Sequence, residues 1–163
     1  LYICNVDEKS VIKGNELSDI VEKKAKENNY NSVIISASIE SQIAELENNN
    51  DKIEILREMG LKETTLNKVI KSGYSLLNLI NYFTCGPKET RSWTIEKNTK
   101  APKAAGKIHS DIERGFIRAE VIPWQELVER GSESKCREAG VLRVEGKDYV
   151  IQDGDVVNFR FNV

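Results

Sequence analysis

The sequence has few of the residues that most often build catalytic and metal sites. Its only histidine is His109, and its three cysteines, Cys4, Cys85 and Cys136, have neither metal-type nor redox spacing. A Ser-His-Asp triad or a metal cluster therefore lacks the side chains it needs. We expect His109 to be a hydrogen-bonded structural residue near a helix end. We expect the cysteines to be reduced, as in an intracellular protein.

Long apolar runs and an excess of one charge are also missing. No apolar stretch approaches the ~20 residues that cross a bilayer, and no charged-then-apolar leader opens the chain, so the cytosol is the expected location. The 24 Lys and Arg against 26 Asp and Glu give a net charge of -2. That balance supplies no overall attraction to nucleic acid or to an acidic membrane, so any such binding requires a local patch.

The first half of the sequence alternates strand and helix signals. Residues 1–4 form an apolar run, and residues 32–37 form a β-branched run typical of a parallel strand covered on both faces. Between them Leu17, Ile20 and Val21 recur at helical spacing, which predicts a strand-helix-strand crossover. Further helical spacing follows over about 39–46, 55–59 and 64–77. A chain that opens within an apolar run is expected to be part of a longer protein.

After about residue 78 the hydrophobic period changes to two, which predicts strands. Residues 82–85 and 90–95 flank a Gly-Pro turn as a hairpin, and residues 116–122 alternate with Ile117, Ala119 and Val121 on one face. The last strand places apolar side chains on one face: Val157, Phe159, Phe161 and Val163.

One helix interrupts these strands. It has Pro102 in its first turn and an apolar side that includes Ala101, Ile108 and Ile112. About five mostly antiparallel strands on one helix form a β-grasp arrangement. The boundary between the two halves is predicted near residue 79.

The strongest chemical signal is Asn5-Val6-Asp7-Glu8, directly after the first strand. Ser36-Ala37-Ser38 ends the next strand of the same unit, and ligands bind at the carboxyl ends of strands in open α/β sheets. The Glu8 carboxylate can accept hydrogen bonds from a nucleobase amine or ring N–H, and the Asn5 amide could tie the loops together. We expect adenine to be tolerated or preferred, with weak discrimination from guanine. The alternative is a polar turn without a ligand.

These residues resemble the YchF family of Obg-like ATPases. Residues 5–8 are similar to the family's Asn-x-x-Glu base-recognition motif, and Ser36-Ala37 is similar to the loop that closes on the base. The second half resembles the family's TGS domain, a ubiquitin-like β-grasp module, over residues 82–89, 101–109, 115–120, 145–149 and 153–163. The resemblance assigns base binding to Asn5, Val6, Glu8, Ser36 and Ala37.

The resemblance implies an α/β fold in two parts. Residues 1–78 would be the C-terminal portion of an OBG-type G domain, a Rossmann-like P-loop NTPase, and residues 79–163 would be the TGS domain. It also implies an ATPase that accepts GTP, uses Mg²⁺ and associates with ribosomes, without a membrane or DNA partner. The 163 residues contain no Gly-x-x-x-x-Gly-Lys-Ser/Thr segment, so this chain alone is expected to be inactive, with no catalytic or metal-binding residue.

A basic patch is the remaining candidate site. Its members surround the predicted hairpin and helix and are Arg91, Lys103, Lys107, Arg114 and Arg118, interspersed with Trp93 and Phe116. Such a patch could face RNA, or it could be an ordinary solvated surface with Trp93 in the core. Two functions stay open: an NTPase segment that supplies base recognition and partner contact, or an RNA- or protein-binding module with no nucleotide role.

Overall fold

Two parallel strands organise residues 1–76 in the computed structural model, which describes residues 1–162. Strand β1 (Tyr2–Asn5) pairs with β2 (Ser32–Ile35) in a register that sets Asn5 opposite Ile35. Helix α1 (Glu16–Glu27) forms the crossover, as the apolar spacing predicted. Its start is fixed by Asn15, whose side chain accepts from the amides of Leu17 and Ser18.

Three more helices complete this unit: α2 (Ala37–Glu45), α3 (Asn49–Glu58) and α4 (Thr65–Leu76). A small core of Val11, Ile39, Ile43 and Leu61 holds α2 against the neighbouring segments. Glu40 of α2 accepts hydrogen bonds from the Thr65 amide at 2.6 Å and the Thr65 hydroxyl at 2.7 Å. Because Thr65 opens α4, this carboxylate joins the two helices at a defined point.

The predicted apolar stripe of α1 is present but largely uncovered within the described chain. Leu17 is 74% exposed and Ile20 is 64% exposed, whereas the small residues Ser18 and Ala25 are buried. Ile3 of β1 is also half exposed within the described chain. Periodicity identifies side chains that share a face, and it does not reveal whether another element lies against that face.

The second unit, from Leu77 onward, is a five-stranded sheet. Its strands are β3 (Leu79–Cys85), β4 (Thr90–Glu96), β5 (Phe116–Pro123), β6 (Arg143–Glu145) and β7 (Asp155–Phe161). The spatial order is β4-β3-β7-β5-β6, with β3 and β7 parallel and the other pairs antiparallel. This mixed sheet confirms the predicted α/β class and has the order of a β-grasp fold.

Helix α5 (Ala101–Ile108) packs on one face of this sheet. Ala101, Ala104 and Ala105 are fully buried, and their small side chains let the helix approach the strands closely. Across from them Tyr82 and Phe159 pack edge to face, with ring centroids 5.9 Å apart. The Tyr82 hydroxyl donates to the Ala104 carbonyl at 2.9 Å, so the buried phenol has a partner and its pKa is raised by burial.

The single helix predicted to continue through Ile112 is in fact two helices. His109 is extended (φ -162°, ψ 142°), ends α5 and caps α6 (Ser110–Arg114) by accepting from the Asp111 amide at 3.1 Å. The imidazole nitrogen replaces the intrahelical bond that a continuing helix would supply. His109 is thus a hydrogen-bonded residue at a helix end, as expected from its position.

Two strand residues that were predicted to face the core are exposed instead. Ile117 is 54% exposed because a register shift between Phe116 and Arg118 turns Phe116 into the core instead. Phe161 is also exposed at the end of β7, and Val163, which was assigned to the same face, lies outside the described residues.

Two short helices, α7 (Trp124–Arg130) and α8 (Glu133–Glu138), follow β5, and α7 contacts both β5 and β7. Residues 1–162 contain no helix that is both long and apolar enough to cross a bilayer.

Candidate functional site

The parallel pairing of β1 and β2 brings the two predicted base-contacting loops to one end of the small sheet. The Val6 amide donates to the Ile35 carbonyl at 2.9 Å, which extends the pairing past the last strand residues. The Asn5 side chain then accepts from the Ala37 amide at 3.0 Å, across 32 residues of sequence. This bond ties the first loop to the start of α2, as the amide of Asn5 was expected to do.

Glu8 lies beside the first turns of α2. Its Oε1 accepts from the Ser38 hydroxyl at 2.7 Å and from the Gln42 side-chain amide at 2.8 Å. Its Oε2 accepts no hydrogen bond from another residue within 1–162. One carboxylate oxygen is therefore positioned by α2, and the other keeps its capacity for a donor such as an exocyclic amine.

The neighbouring residues have distinct roles. Val6 is buried and anchors the loop, and Asp7 accepts from the Ser10 amide and hydroxyl, each at 3.0 Å, which holds a short 3₁₀ turn over Glu8–Ser10. Ser36 is fully buried at the start of α2, and its hydroxyl has no hydrogen-bond partner among residues 1–162.

A separate cleft of about 360 Å³ opens in the same unit. It is lined by residues of β1, β2, α1 and α4, including Ser18, Glu22, Lys68 and Ser72, and by none of the five residues assigned to base binding. The cleft and the two loops predicted to contact a base are therefore separate features of this unit.

Acidic, histidine and cysteine side chains do not converge in groups of three within the described residues 1–162. Magnesium that accompanies a nucleotide is usually held by one or two carboxylates together with the phosphates, so such a cluster is not a requirement for it.

The basic residues singled out from the sequence lie on two faces of the β-grasp sheet. Lys103 and Lys107 are on α5 and Arg114 is on α6, whereas Arg118 lies on the opposite sheet face because it alternates with Ala119, which faces the core. Arg91 stacks over Trp93, with its guanidinium carbon 5.4 Å from the ring centroid.

Acidic neighbours pair with several of these cations. Lys103 pairs with Glu113 at 3.3 Å, Arg91 with Glu89 at 3.1 Å, and Arg114 with Asp111. Trp93 is partly buried against the core, and its indole N–H donates to the Thr84 hydroxyl at 3.0 Å.

Sequence reasoning missed a second cationic group on the opposite sheet face. Glu120 is only 6% exposed, and its carboxylate lies 3.0 Å from Arg160, 3.5 Å from Arg118 and 3.8 Å from Arg137. The hydrogen bond from Arg160, with the charges of all three arginines, lowers the pKa of Glu120 despite its burial. Nothing in the sequence signals this cluster around Glu120. The three arginines that contact its carboxylate lie on three different elements, β5, α8 and β7.

Comparison with known proteins identifies the relatives of this chain. Residues 79–162 match the YchF-GTPase_C family, described as a protein of unknown function (DUF933). The chain is 49% identical to the ribosome-binding ATPase YchF of Haemophilus influenzae over 163 residues and 48% identical to that of Bacillus subtilis over 165 residues. All of this chain is covered, but only 44% and 45% of those relatives, so it spans less than half their length.

A solved structure gives the same answer. The YchF GTPase of Schizosaccharomyces pombe superposes with a TM-score of 0.81 at 36% identity, over 98% of this chain and 43% of that protein. These similarities agree with the resemblance carried by the strand-end motif and the β-grasp stretches. The chain belongs to the YchF family.

Proposed function

We propose that this chain is the C-terminal portion of an ATPase that also accepts GTP and binds ribosomes. In this proposal residues 1–78 complete a P-loop nucleotide domain and read the base, and residues 79–163 are the TGS domain that contacts the partner. Hydrolysis and the Mg²⁺ that accompanies ATP are assigned to sequence outside these 163 residues, since no P-loop lies within them. The location proposed is the cytoplasm, where ribosomes are found.

The observation that most directly supports a nucleotide role is the hydrogen bond from the Ala37 amide to the Asn5 side-chain oxygen. This bond holds the first loop against the start of α2, 32 residues away in the sequence. With that bond formed, Glu8 and the Ser36-Ala37 segment occupy one end of the paired strands, so a flat purine could contact both loops at once.

The positioned carboxylate favours an amine donor on the base. One oxygen of Glu8 is held by Ser38 and Gln42, which leaves the other for a single N–H. Adenine offers one exocyclic amine, whereas guanine offers two adjacent donors that a carboxylate with both oxygens free would accept together. The arrangement therefore supports adenine preference with incomplete exclusion of guanine.

The exposed apolar stripe of α1 also supports the assignment to a larger domain. Leu17 and Ile20 lie on one helix face in contact with water, and monomeric proteins rarely leave such groups uncovered without a partner surface. In the longer relatives a further part of the nucleotide domain would cover this stripe.

The test is a chimera in which the N-terminal portion of the Haemophilus influenzae relative precedes this chain. Affinities for ATP and GTP are measured by calorimetry for the chimera and for its Glu8→Ala variant. We expect the ATP-to-GTP affinity ratio to change by about tenfold, the value of one hydrogen bond to a charged group. Glu58→Ala, at an exposed carboxylate in α3, is the matched control and should leave the ratio unchanged.

The second candidate is an interaction module with no nucleotide role. It is favoured by the hydrogen bonds of Glu8, because a carboxylate bonded to Ser38 and Gln42 braces the loop against α2 whether or not a nucleotide is bound. An unchanged nucleotide preference in Glu8→Ala, with loss of folding stability, would support this alternative.

A further inference from the structure

We propose that the three arginines around Glu120 form a docking surface for RNA phosphates on the sheet face opposite α5. The surface consists of Arg118 on β5, Arg137 on α8 and Arg160 on β7 and is called the arginine face below. The choice of RNA as partner rests on the proposed ribosome-binding function, and the arrangement of the arginines is independent of it.

Glu120 is the organising group of the arginine face. It is buried beneath the three arginines, whose side chains are 51%, 62% and 48% exposed for Arg118, Arg137 and Arg160. Each guanidinium lies within 4 Å of the same carboxylate, so three cations are held close together by one buried anion. Without Glu120, the like charges of the arginines would drive these side chains apart.

The sum of charges on this face is positive. Among the described residues the one other acid paired with these arginines is Glu133, 3.7 Å from Arg137, which gives three positive and two negative charges. One of the two negative charges is buried, so an approaching partner meets mainly guanidinium groups. With two carboxylates for three arginines, one positive charge of this group has no acidic counterpart among the described ion pairs.

The chemistry favours a phosphate backbone over an acidic peptide. A guanidinium has five N–H donors in a planar fork that matches phosphate oxygens, and one bond to a carboxylate leaves several of them for a ligand. Val144 on β6, which lies opposite Glu120 in the sheet register, is 61% exposed and adds an apolar contact for a ribose or base. Backbone contacts of this kind position an RNA without reading its sequence.

The arginine face differs from the patch on α5 and α6. There Lys103 and Arg114, which are 77% and 75% exposed, pair with the partly exposed acids Glu113 and Asp111, which are 36% and 35% exposed. On the arginine face the compensating carboxylate is beneath the cations. Both groups lie in one domain, and a double substitution in either group removes two positive charges. Their effects on RNA binding can therefore be compared directly.

The experiment measures binding of the chain to a fluorescently labelled RNA hairpin by anisotropy, between about 50 mM and 200 mM salt. The test variant is Arg118→Gln with Arg137→Gln, which retains the 3.0 Å bond from Arg160 to Glu120 so that the buried acid stays paired. The control variant is Lys103→Gln with Arg114→Gln. Thermal unfolding of all three proteins verifies that they remain folded.

The proposal predicts that the slope of log affinity against log salt becomes shallower by about 1–2 units in the test variant. The control should keep the slope of the unmodified chain. A change in the control with none in the test variant would overturn the arginine face, as would failure of the unmodified chain to bind the hairpin.

Binding to intact ribosomes separates the remaining outcomes. If the test variant loses ribosome binding but keeps hairpin binding, the partner of these arginines is an acidic protein surface and the RNA assignment is wrong. Failure of the unmodified chain to bind ribosomes contradicts the partner half of the proposed function. Ribosome binding that survives the Arg118 and Arg137 substitutions contradicts the arginine face alone.

Discussion

Glu120 shows how one buried carboxylate can depend on residues distant in sequence. Its hydrogen bond from Arg160 and the nearby charges of Arg118 and Arg137 hold its pKa below the ordinary range. Since the folded pKa lies below the unfolded value, the ionised group stabilises the fold above about pH 4. That stabilisation is lost as the pH falls through the folded pKa.

The first prediction concerns this residue. Glu120→Gln should lower the free energy of unfolding at pH 7 by about 1–3 kcal/mol, because three arginines lose their shared counter-charge. The difference from the unmodified chain should shrink below about pH 4, where the carboxylate is protonated in the unfolded state. Urea unfolding at pH 7 and at pH 3 measures both values. An equal loss at the two pH values would show that charge is not the cause.

Gly115 marks a close approach of two backbone segments. A Cβ at this position would collide with the backbone carbonyl of Asn162, whose amide donates to the Gly115 carbonyl at 2.9 Å. We predict that Gly115→Ala destabilises the β-grasp unit by about 1–3 kcal/mol through this overlap. Gly146→Ala, where a Cβ meets nothing within 4 Å, is the control, and equal thermal midpoints for the two variants would contradict the prediction.

Residues of the candidate sites differ in how far the sequence predicts them. The meeting of Asn5 with Ala37 follows from the parallel pairing of two apolar runs, since parallel strands end at the same edge. The bonds from Ser38 and Gln42 to Glu8 depend on the exact direction of α2 and have no sequence signal. The grouping of Arg118, Arg137 and Arg160 requires the sheet order, which local patterns do not contain.

At the scale of single elements, α4 contains a glycine with no structural requirement. Gly73 lies in the helix interior, and an added Cβ would meet nothing within 4 Å. Replacing it with alanine removes conformational freedom from the unfolded chain without a clash. We predict that Gly73→Ala raises the stability of the first unit by about 0.5–1 kcal/mol, measured by urea unfolding. A loss of stability would indicate a contact that the described residues do not show.

The start of α2 is tied to β1 through Asn5. Asn5→Ala removes the acceptor of the Ala37 amide, and the bond is worth about 0.5–1.5 kcal/mol. We predict that hydrogen exchange at the Ala37 amide accelerates by up to about tenfold, while the Glu40 amide, bonded to the Ser36 carbonyl at 3.1 Å, changes much less. Equal acceleration at both amides would mean that the whole helix has loosened.

The positions of helices and strands were more predictable than the helix break at His109 and the register of β5. The strand-helix-strand crossover and the hairpin of β3 and β4 follow from local periodicity and turn residues, and both are present. The break at His109 was missed because the apolar spacing of Ile108 and Ile112 continues across it, although the imidazole cap interrupts the helix. The exposure of Ile117 was missed because a single register shift inverts the alternation that the sequence displays.

At the scale of the whole molecule, the chain belongs to the YchF family and matches one part of longer proteins. The chain matches its relatives from end to end while covering less than half of each. The proposed hydrolysis must therefore be tested in a protein that also has a P-loop, whereas the proposed base recognition and partner contact can be tested on residues present here. The two basic groups of the β-grasp unit give separate predictions for the partner.

The proposed base site requires a purine to lie against the loops that follow β1 and β2. The most direct test of this site is photolabelling of the chimera with an azido-adenine analogue of ATP, followed by mass spectrometry of the labelled peptides. We predict that label enters segments containing Asn5 to Glu8 or Ser36 to Ser38, and that excess ATP prevents it. Saturable labelling confined to other segments, with these loops unlabelled, would contradict it.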